Sequence, residues 1–397
     1  MGGKALRILI VTHVVTKNDG QGRVNYEIAR AALAAGHVVT LLASQAASEI
    51  AGHPRARFER LSVSRLPTRL LKYQVFAWRS GAWIRAHRAA FDVIHVNGFI
   101  AWARADVNAV HFVHDGWYRC GFYPFRLLGG PYHAYQVVYT RFNAWCERWA
   151  FRRAEILVPV SEKVGAEVRV LGIDAAKLHV IHNGVDIDEF SPGEPQRERF
   201  GLPQAPFMLL FAGDLRVSRK NLDTVLHALA GTPESVHLVV AGILRNSPYP
   251  ALAKSLGLAH RVHFTDLVKD MPALMRSVDA FVFPSRYEAM SLVLLEALAA
   301  ALPVVTVRTA GGAEVISSDC GIVLEQPDDA IALAEAIMRL VADPGHARQM
   351  GRAARELAGN FSWQTMASRY LSLYERLAAR RALSTAAATR AVVSAES

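Results

Sequence analysis

Three stretches of the chain hold residue types that could handle a phosphorylated ligand. The first is Gly213-Asp-Leu-Arg-Val-Ser-Arg-Lys-Asn221, where Arg216, Arg219 and Lys220 follow an apolar run. Ligands of open α/β sheets sit beyond the carboxyl ends of strands. A diphosphate leaving a sugar needs positive charge as its bond breaks. A solvated basic loop, with Lys220 merely preceding an Asn221 helix cap, is the plainer alternative. The second stretch is Pro284-Ser-Arg-Tyr-Glu-Ala-Met-Ser-Leu-Val-Leu-Leu-Glu-Ala297. Glu288 falls in a loop, Ser291 suits an N-cap, and the helix opening at Leu292 could turn backbone amides to a phosphate. Glu296 lies in an apolar run, where a carboxylate is costly unless paired; ribose hydroxyls or a structural salt bridge would serve. The third is Asp19-Gly20-Gln21-Gly22-Arg23, whose glycines let a backbone approach a ligand at a helix N-terminus. It is no dinucleotide fingerprint, because Asn25 stands where the third glycine belongs, which argues against a nicotinamide dehydrogenase.

These stretches need a scaffold, and the pattern supplies one. Short apolar runs alternate with helical ones, as in βαβ units around a parallel sheet. Strands are expected at Leu6–Thr12, Val38–Ala43, Phe91–Val96, Ala109–His114, Ile156–Val160 and Leu178–Ile181, with a helix over Arg23–Ala35. A Pro-rich break, Ser191-Pro-Gly-Glu-Pro195, then separates a second series: strands at Phe207–Ala212, Val236–Ala241, Arg261–Phe264, Ala280–Phe283 and Val304–Val307. Helices are expected over 221–230, 249–256, 271–277, 292–301 and 330–342. The reading is an α/β chain of two doubly wound domains, 1–187 and 188–362, followed by a closing helix over 363–383. The Ala/Thr/Ser-rich tail, 384–397, is expected to be disordered.

A chain of 397 residues, 52% hydrophobic and 20% charged, can bury two cores. Cys120, Cys146 and Cys320 are scattered without metal or disulfide spacing, which suits a reducing compartment. Lys4 and Arg7 before Ile8–Val11 resemble a signal peptide only superficially, since the run is short and no cleavage pattern follows. No stretch reaches the roughly 18 apolar residues of a membrane-spanning helix. The net charge of +10 sits mostly before residue 191, and residues 55–88 hold nine basic residues against Glu59 alone. That asymmetry points to an anionic partner, a lipid surface or a phosphorylated acceptor, or else to a solvated face. Leu71, Val75 and Trp78 share a helical face beside Arg65, Arg69, Lys72 and Arg79. No nucleic-acid module is visible.

Taken in order, the Gly-rich loop with Arg23, Val113-His114-Asp115, His182-Asn183-Gly184-Val185-Asp186, the Arg219-Lys220-Asn221 loop and the Glu288/Glu296 pair resemble glycosyltransferase family 4 over about residues 1–380. The resemblance implies the GT-B fold, two Rossmann-like domains facing across a cleft, the first on the acceptor side and the second binding a nucleotide sugar. It implies catalytic roles for His114, Lys220 and Glu288. Gly20, Gly22, Gly213, Arg219, Leu267, Ser291, Leu292 and Glu296 would bind the donor. His114 would line the transferred sugar, while His95 and His111 read as buried strand histidines. This sequence departs from the family pattern at Asp19, at Met290-Ser291 and at Asp214, where many members carry a phosphate-binding arginine. Arg216 is expected to replace that arginine, with Asp214 fixing its direction. The implied activity is metal-independent, retaining transfer of a hexose from a UDP- or GDP-sugar to a glycan or lipid-linked acceptor. It needs no cofactor, and would take place in the cytoplasm or peripherally at the inner face of the plasma membrane. A sugar-nucleotide epimerase or hydrolase, or a non-catalytic binder, would share the scaffold.

Overall fold

The computed structural model describes residues 4–63 and 66–395, so Arg65 of the basic stretch lies outside the described residues. The chain forms two compact units. Unit 1 runs to Asp115, takes in Phe125–His182 and resumes at Trp363; unit 2 holds Gly116–Pro124 and Asn183–Ser362.

In unit 1, strands β1 (Arg7–Val11), β2 (Val38–Ala43), β3 (Ala56–Arg60), β4 (Val93–Asn97), β5 (Ala105–Val110) and β6 (Ala154–Pro159) form a parallel sheet in the order β3-β2-β1-β4-β5-β6. The central strand β1 lies between β2 and β4, with Leu9 opposite Thr40 on one side and Ile94 on the other. Burial on both faces explains why such strands read as unbroken apolar runs. Unit 2 repeats the plan. Strands β7 (Phe207–Ala212), β8 (Val236–Ala241), β9 (Val262–Asp266), β10 (Ala280–Phe283), β11 (Val304–Val307) and β12 (Gly321–Leu324) are all parallel, in the order β9-β8-β7-β10-β11-β12. In both sheets the order reverses beside the first strand, and this is the place where doubly wound folds bind ligands.

The helices used below are α1 (Gly20–Ala34), α2 (Arg69–His87), α3 (His114–Arg119), α4 (Pro131–Arg153), α5 (Leu222–Ala230), α6 (Leu292–Ala299) and α7 (Trp363–Ala395). Helix α7 belongs to unit 1, where Tyr370 and Tyr374 pack on the buried His95 of β4 and the Tyr374 hydroxyl meets His95 Nδ1.

Several expectations need correction. The strand expected at Ala109–His114 is β5, four residues earlier, and His114 opens helix α3. Asp106 and Asn108 disguise β5 as a turn, yet Asp106 is buried because Arg88, Arg381 and the Ile94 amide all donate to it. Leu178–Ile181 makes only a single bridge, Leu178 to Leu157. The edge strands β3 and β12 escape the pattern because an edge is half solvated and short. The chain from Ser384, expected to be disordered, continues α7 as far as Ala395, in keeping with alanine's high helix propensity.

Candidate active site

Beyond the carboxyl end of β7, the loop 213–221 delivers two cations to one carboxylate. Glu288 Oε1 accepts from Arg219 Nη1 at 2.7 Å and from Lys220 Nζ at 2.7 Å, with Ser285 Oγ at 3.3 Å. Burial alone would raise the Glu288 pKa, but Lys220 and Arg219 outweigh it and hold the carboxyl below its ordinary range. The Lys220 ammonium also lies 5.2 Å from the centre of the Phe283 ring. A Cβ on Gly213 would stand 3.4 Å from the Lys220 stem, so the glycine keeps room for the lysine to lie flat.

The loop is held by Asn221, read from the sequence as a helix cap, and by Arg286, to which no role was assigned there. Asn221 takes a left-handed backbone (φ 66°), which Asn tolerates better than most residues. It is fully buried, donating from Nδ2 to the carbonyls of Pro284 (2.8 Å) and Pro327 (2.6 Å). Its side chain caps no helix amide, so its place at the start of α5 is a matter of backbone shape rather than capping. Arg286 clamps the loop from the far side through Ser218 O (2.7 Å), Asp223 (2.6 Å) and Asp328 (2.7 Å). Gly311 fits close under Glu288: its amide donates to Glu288 O at 3.0 Å, and a Cβ there would fall 1.7 Å from Ala289 O.

The remaining residues of unit 2 fall into place unevenly. Asp214 pairs with Arg216 as expected, gripping its guanidinium with two contacts, 2.8 and 2.9 Å, on an exposed part of the loop, and Arg216 does not join the Glu288 cluster. Side-chain geometry therefore brings Arg219, not Arg216, to Lys220. The Ser291 amide, expected to face phosphate, donates instead to Gly311 O at 3.3 Å. The first amides of α6, from Leu292 onward, have no side-chain cap. Glu296 is half-buried on α6 and has a partner. Leu267 is exposed, just after the left-handed Asp266 that ends β9.

In unit 1, Asp19 caps α1 by accepting from the Gly22 amide at 2.6 Å. A Cβ on Gly22 would meet Asp19 Oδ1 at 2.9 Å, so Gly22 serves the cap, whereas Gly20 has open space around it. His114 lines a recess of about 260 Å³ together with His13, Tyr73, Asn97, Tyr139 and Asn143. Glu147 of α4, flanked by Cys146 and Arg148, belongs to no motif that would single it out in the sequence. Its Oε1 is 2.7 Å from His114 Nδ1, and its Oε2 accepts from the His114 amide at 2.9 Å. A carboxylate only accepts, so Nδ1 carries the hydrogen and Nε2 is left for a ligand. His13 stacks on Tyr73 (4.9 Å between centroids), and burial pushes its pKa down to about 4 despite Asp19 nearby. His111, also lining the recess, is pushed down to about 4 by burial. The recess therefore offers ring faces, side-chain amides and the imidazoles of His13 and His111 beside the Glu147 carboxylate.

The chain is similar to known proteins in sequence and in fold. The model for Glycosyltransferase Family 4 matches residues 18–189, and that for Glycosyl transferases group 1 matches residues 193–357. A D-inositol 3-phosphate glycosyltransferase of Mycobacterium bovis is 30% identical over 344 residues, 80% of this chain and 68% of that one. Among solved structures, sucrose-phosphate synthase from Thermosynechococcus elongatus matches with a TM-score of 0.79 at 22% identity, covering 94% of this chain and 100% of the other. Anabaena Alr3699/HepE in complex with UDP and glucose matches with a TM-score of 0.70 at 19% identity, covering 92% and 98%. These two likenesses speak for the fold.

Proposed function

The chain belongs to glycosyltransferase family 4, group 1 transferases of GT-B fold that use nucleotide sugars, and from that premise we propose that it is a retaining, metal-independent hexosyltransferase acting on a hydroxylated acceptor of the cell envelope or of an exopolysaccharide. The observation that carries this reading is the convergence of Lys220 and Arg219 on Glu288. Two cations already oriented by a buried carboxylate can meet a diphosphate without rearrangement, and such preorganised charge is worth most in a dry site. They supply the electrostatic role that a divalent ion fills elsewhere. The sugar–phosphate C–O bond breaks as the acceptor oxygen bonds to the anomeric carbon from the same face, and the acceptor proton passes to the departing phosphate oxygen. Gly20, Leu292 and Glu296 are assigned to the donor, Glu296 to the ribose and the open backbone at Gly20 to phosphate.

The polar, aromatic recess around His114 suits the hydroxylated ring of a sugar or polyol, with Glu147 fixing the imidazole. A relative that acts on D-inositol 3-phosphate lends this support. The experiment is to incubate the protein with UDP- and GDP-sugars and polyol, glycan or lipid-linked acceptors, and to follow product configuration by NMR. An α-linked product from an α-linked donor, unaffected by EDTA, is expected. Inverted product, or activity restored only by Mg²⁺ or Mn²⁺, would refute the mechanism. Epimerised or hydrolysed donor in the absence of acceptor would favour the epimerase reading.

A peripheral place on the cytoplasmic face of an anionic membrane completes the proposal. Leu71 and Trp78 are exposed on α2 beside Arg69 and Arg79, and Val138, Phe142 and Trp145 are exposed on α4. Among the described residues no helix is long and apolar enough to cross a membrane.

A further inference from the structure

A second charged recess lies in unit 1 at the opposite ends of the strands. It encloses about 500 Å³ and gathers Arg88, Arg104, Arg152, Arg153, Lys177 and Arg381 against only Asp106 and Glu155. The cations meet there because Ala105 of β5 pairs with Ala154 of β6. That register sets Arg104 and Arg153, each one residue before its strand, side by side. His114 lies beyond the carboxyl ends of the same sheet, a strand length of about 20 Å away.

The recess is built rather than merely solvated. Asp106 is buried and binds Arg88 at 2.9 Å and Arg381 at 2.8 Å, so both guanidinium groups are fixed. Glu155 holds the other edge of Arg381 at 2.8 Å. Lys177 donates to the carbonyls of Arg152 (3.3 Å) and Ala154 (3.2 Å), pinning the backbone from which Arg152 and Arg153 leave. Arg153 lies over the Trp149 ring at 4.3 Å. Of these six cations the two carboxylates pair with Arg88 and Arg381, so the recess keeps four positive charges in excess. Arginine forks in that number suit an anion with several phosphate oxygens, not a single carboxylate.

We propose that this recess is a separate binding site for a ligand bearing two or more phosphate groups, either a soluble polyphosphate ester or a phosphorylated lipid headgroup. Because Arg381 belongs to α7 while the other cations belong to the sheet and its connections, an anion here fastens α7 to the sheet. Occupancy is thereby linked to the stability of unit 1.

Calorimetric titration of the full chain with inorganic tripolyphosphate at 150 mM salt tests it. The expected result is saturable binding that raises Tm. The combined Arg104→Ser, Arg152→Ser and Arg153→Ser variant should weaken it at least about ten-fold, while Lys220→Ala, which touches only the donor site, retains the binding that the triple variant loses. These three arginines are exposed, so the variant should keep the wild-type Tm without ligand. Undiminished binding in the triple variant overturns the proposal, as does binding lost in Lys220→Ala, or an equal response to sulfate at matched ionic strength. Vesicles containing phosphatidylinositol phosphates provide the second arm. Displacement of tripolyphosphate by them assigns the site to a lipid headgroup, and failure to displace assigns it to a soluble ligand.

Discussion

Lys220 and Arg219 share one oxygen of Glu288, at 2.7 Å each, while Arg216 is engaged by Asp214. A charged contact that strengthens in the transition state is worth about 2–4 kcal/mol. Lys220→Ala and Arg219→Ala are therefore expected to lower kcat/KM by about 30- to 1000-fold, and Arg216→Ala by less than about ten-fold. Steady-state kinetics with varied donor checks this; a crippled Arg216 variant beside a healthy Arg219 variant would return the phosphate contact to Arg216. Glu288→Gln frees both cations and should lower kcat more than it raises donor KM. Glu296→Ala, if it holds the ribose, should do the reverse. Glu147→Gln keeps the shape but not the charge that orients His114, so kcat should fall with little change in Tm. A normal kcat in that variant would remove Glu147 from the reaction.

At the level of elements, the loop 213–221 owes its form to two residues of the second half, Asn221 and Arg286. Asn221→Ala puts at φ 66° a residue that tolerates the left-handed region less well than Asn, and leaves the carbonyls of Pro284 and Pro327 without their donor. The expected loss is about 2–4 kcal/mol by urea denaturation, and Asn221→Gly should recover only the conformational part of it. A loss below about 0.5 kcal/mol would show that the loop is held elsewhere. Helix α2 carries the membrane proposal. Changing Arg69 and Lys72 to Ser, with Arg65 alongside them, should weaken co-sedimentation with phosphatidylglycerol vesicles, and so should high salt. Unchanged binding would leave the exposed Trp78 and Leu71 without that role.

Over the whole molecule, buried histidines set the response to acid. Burial pushes His95 down to about 3 and both His13 and His111 to about 4, against an ordinary value of 6.5. The unfolded chain therefore binds these protons below about pH 6.5 while the folded chain refuses them, so stability is complete above that pH and falls as the pH drops toward 4. Tm measured from pH 7.5 to 4.5 should fall steeply across this window; a flat profile would mean that these rings are protonated in the fold. The sequence by itself determined the two doubly wound halves and, apart from β12 and the helix Pro344–Ala358, the main helices and strands of unit 2, because a side-chain period reports directly which face of an element is buried. It also placed Glu288 in a loop and Lys220 just after the first strand of unit 2, whereas His114, expected to end a strand, opens α3. Only the tertiary structure decided which charge meets which. Arg219 rather than Arg216 reaches Glu288, Glu147 finds His114 from 33 residues away, and Asp106 is buried in a strand because Arg88 and Arg381 arrive from distant segments. Such pairings depend on where separate stretches of backbone come together, and a local pattern carries no record of that.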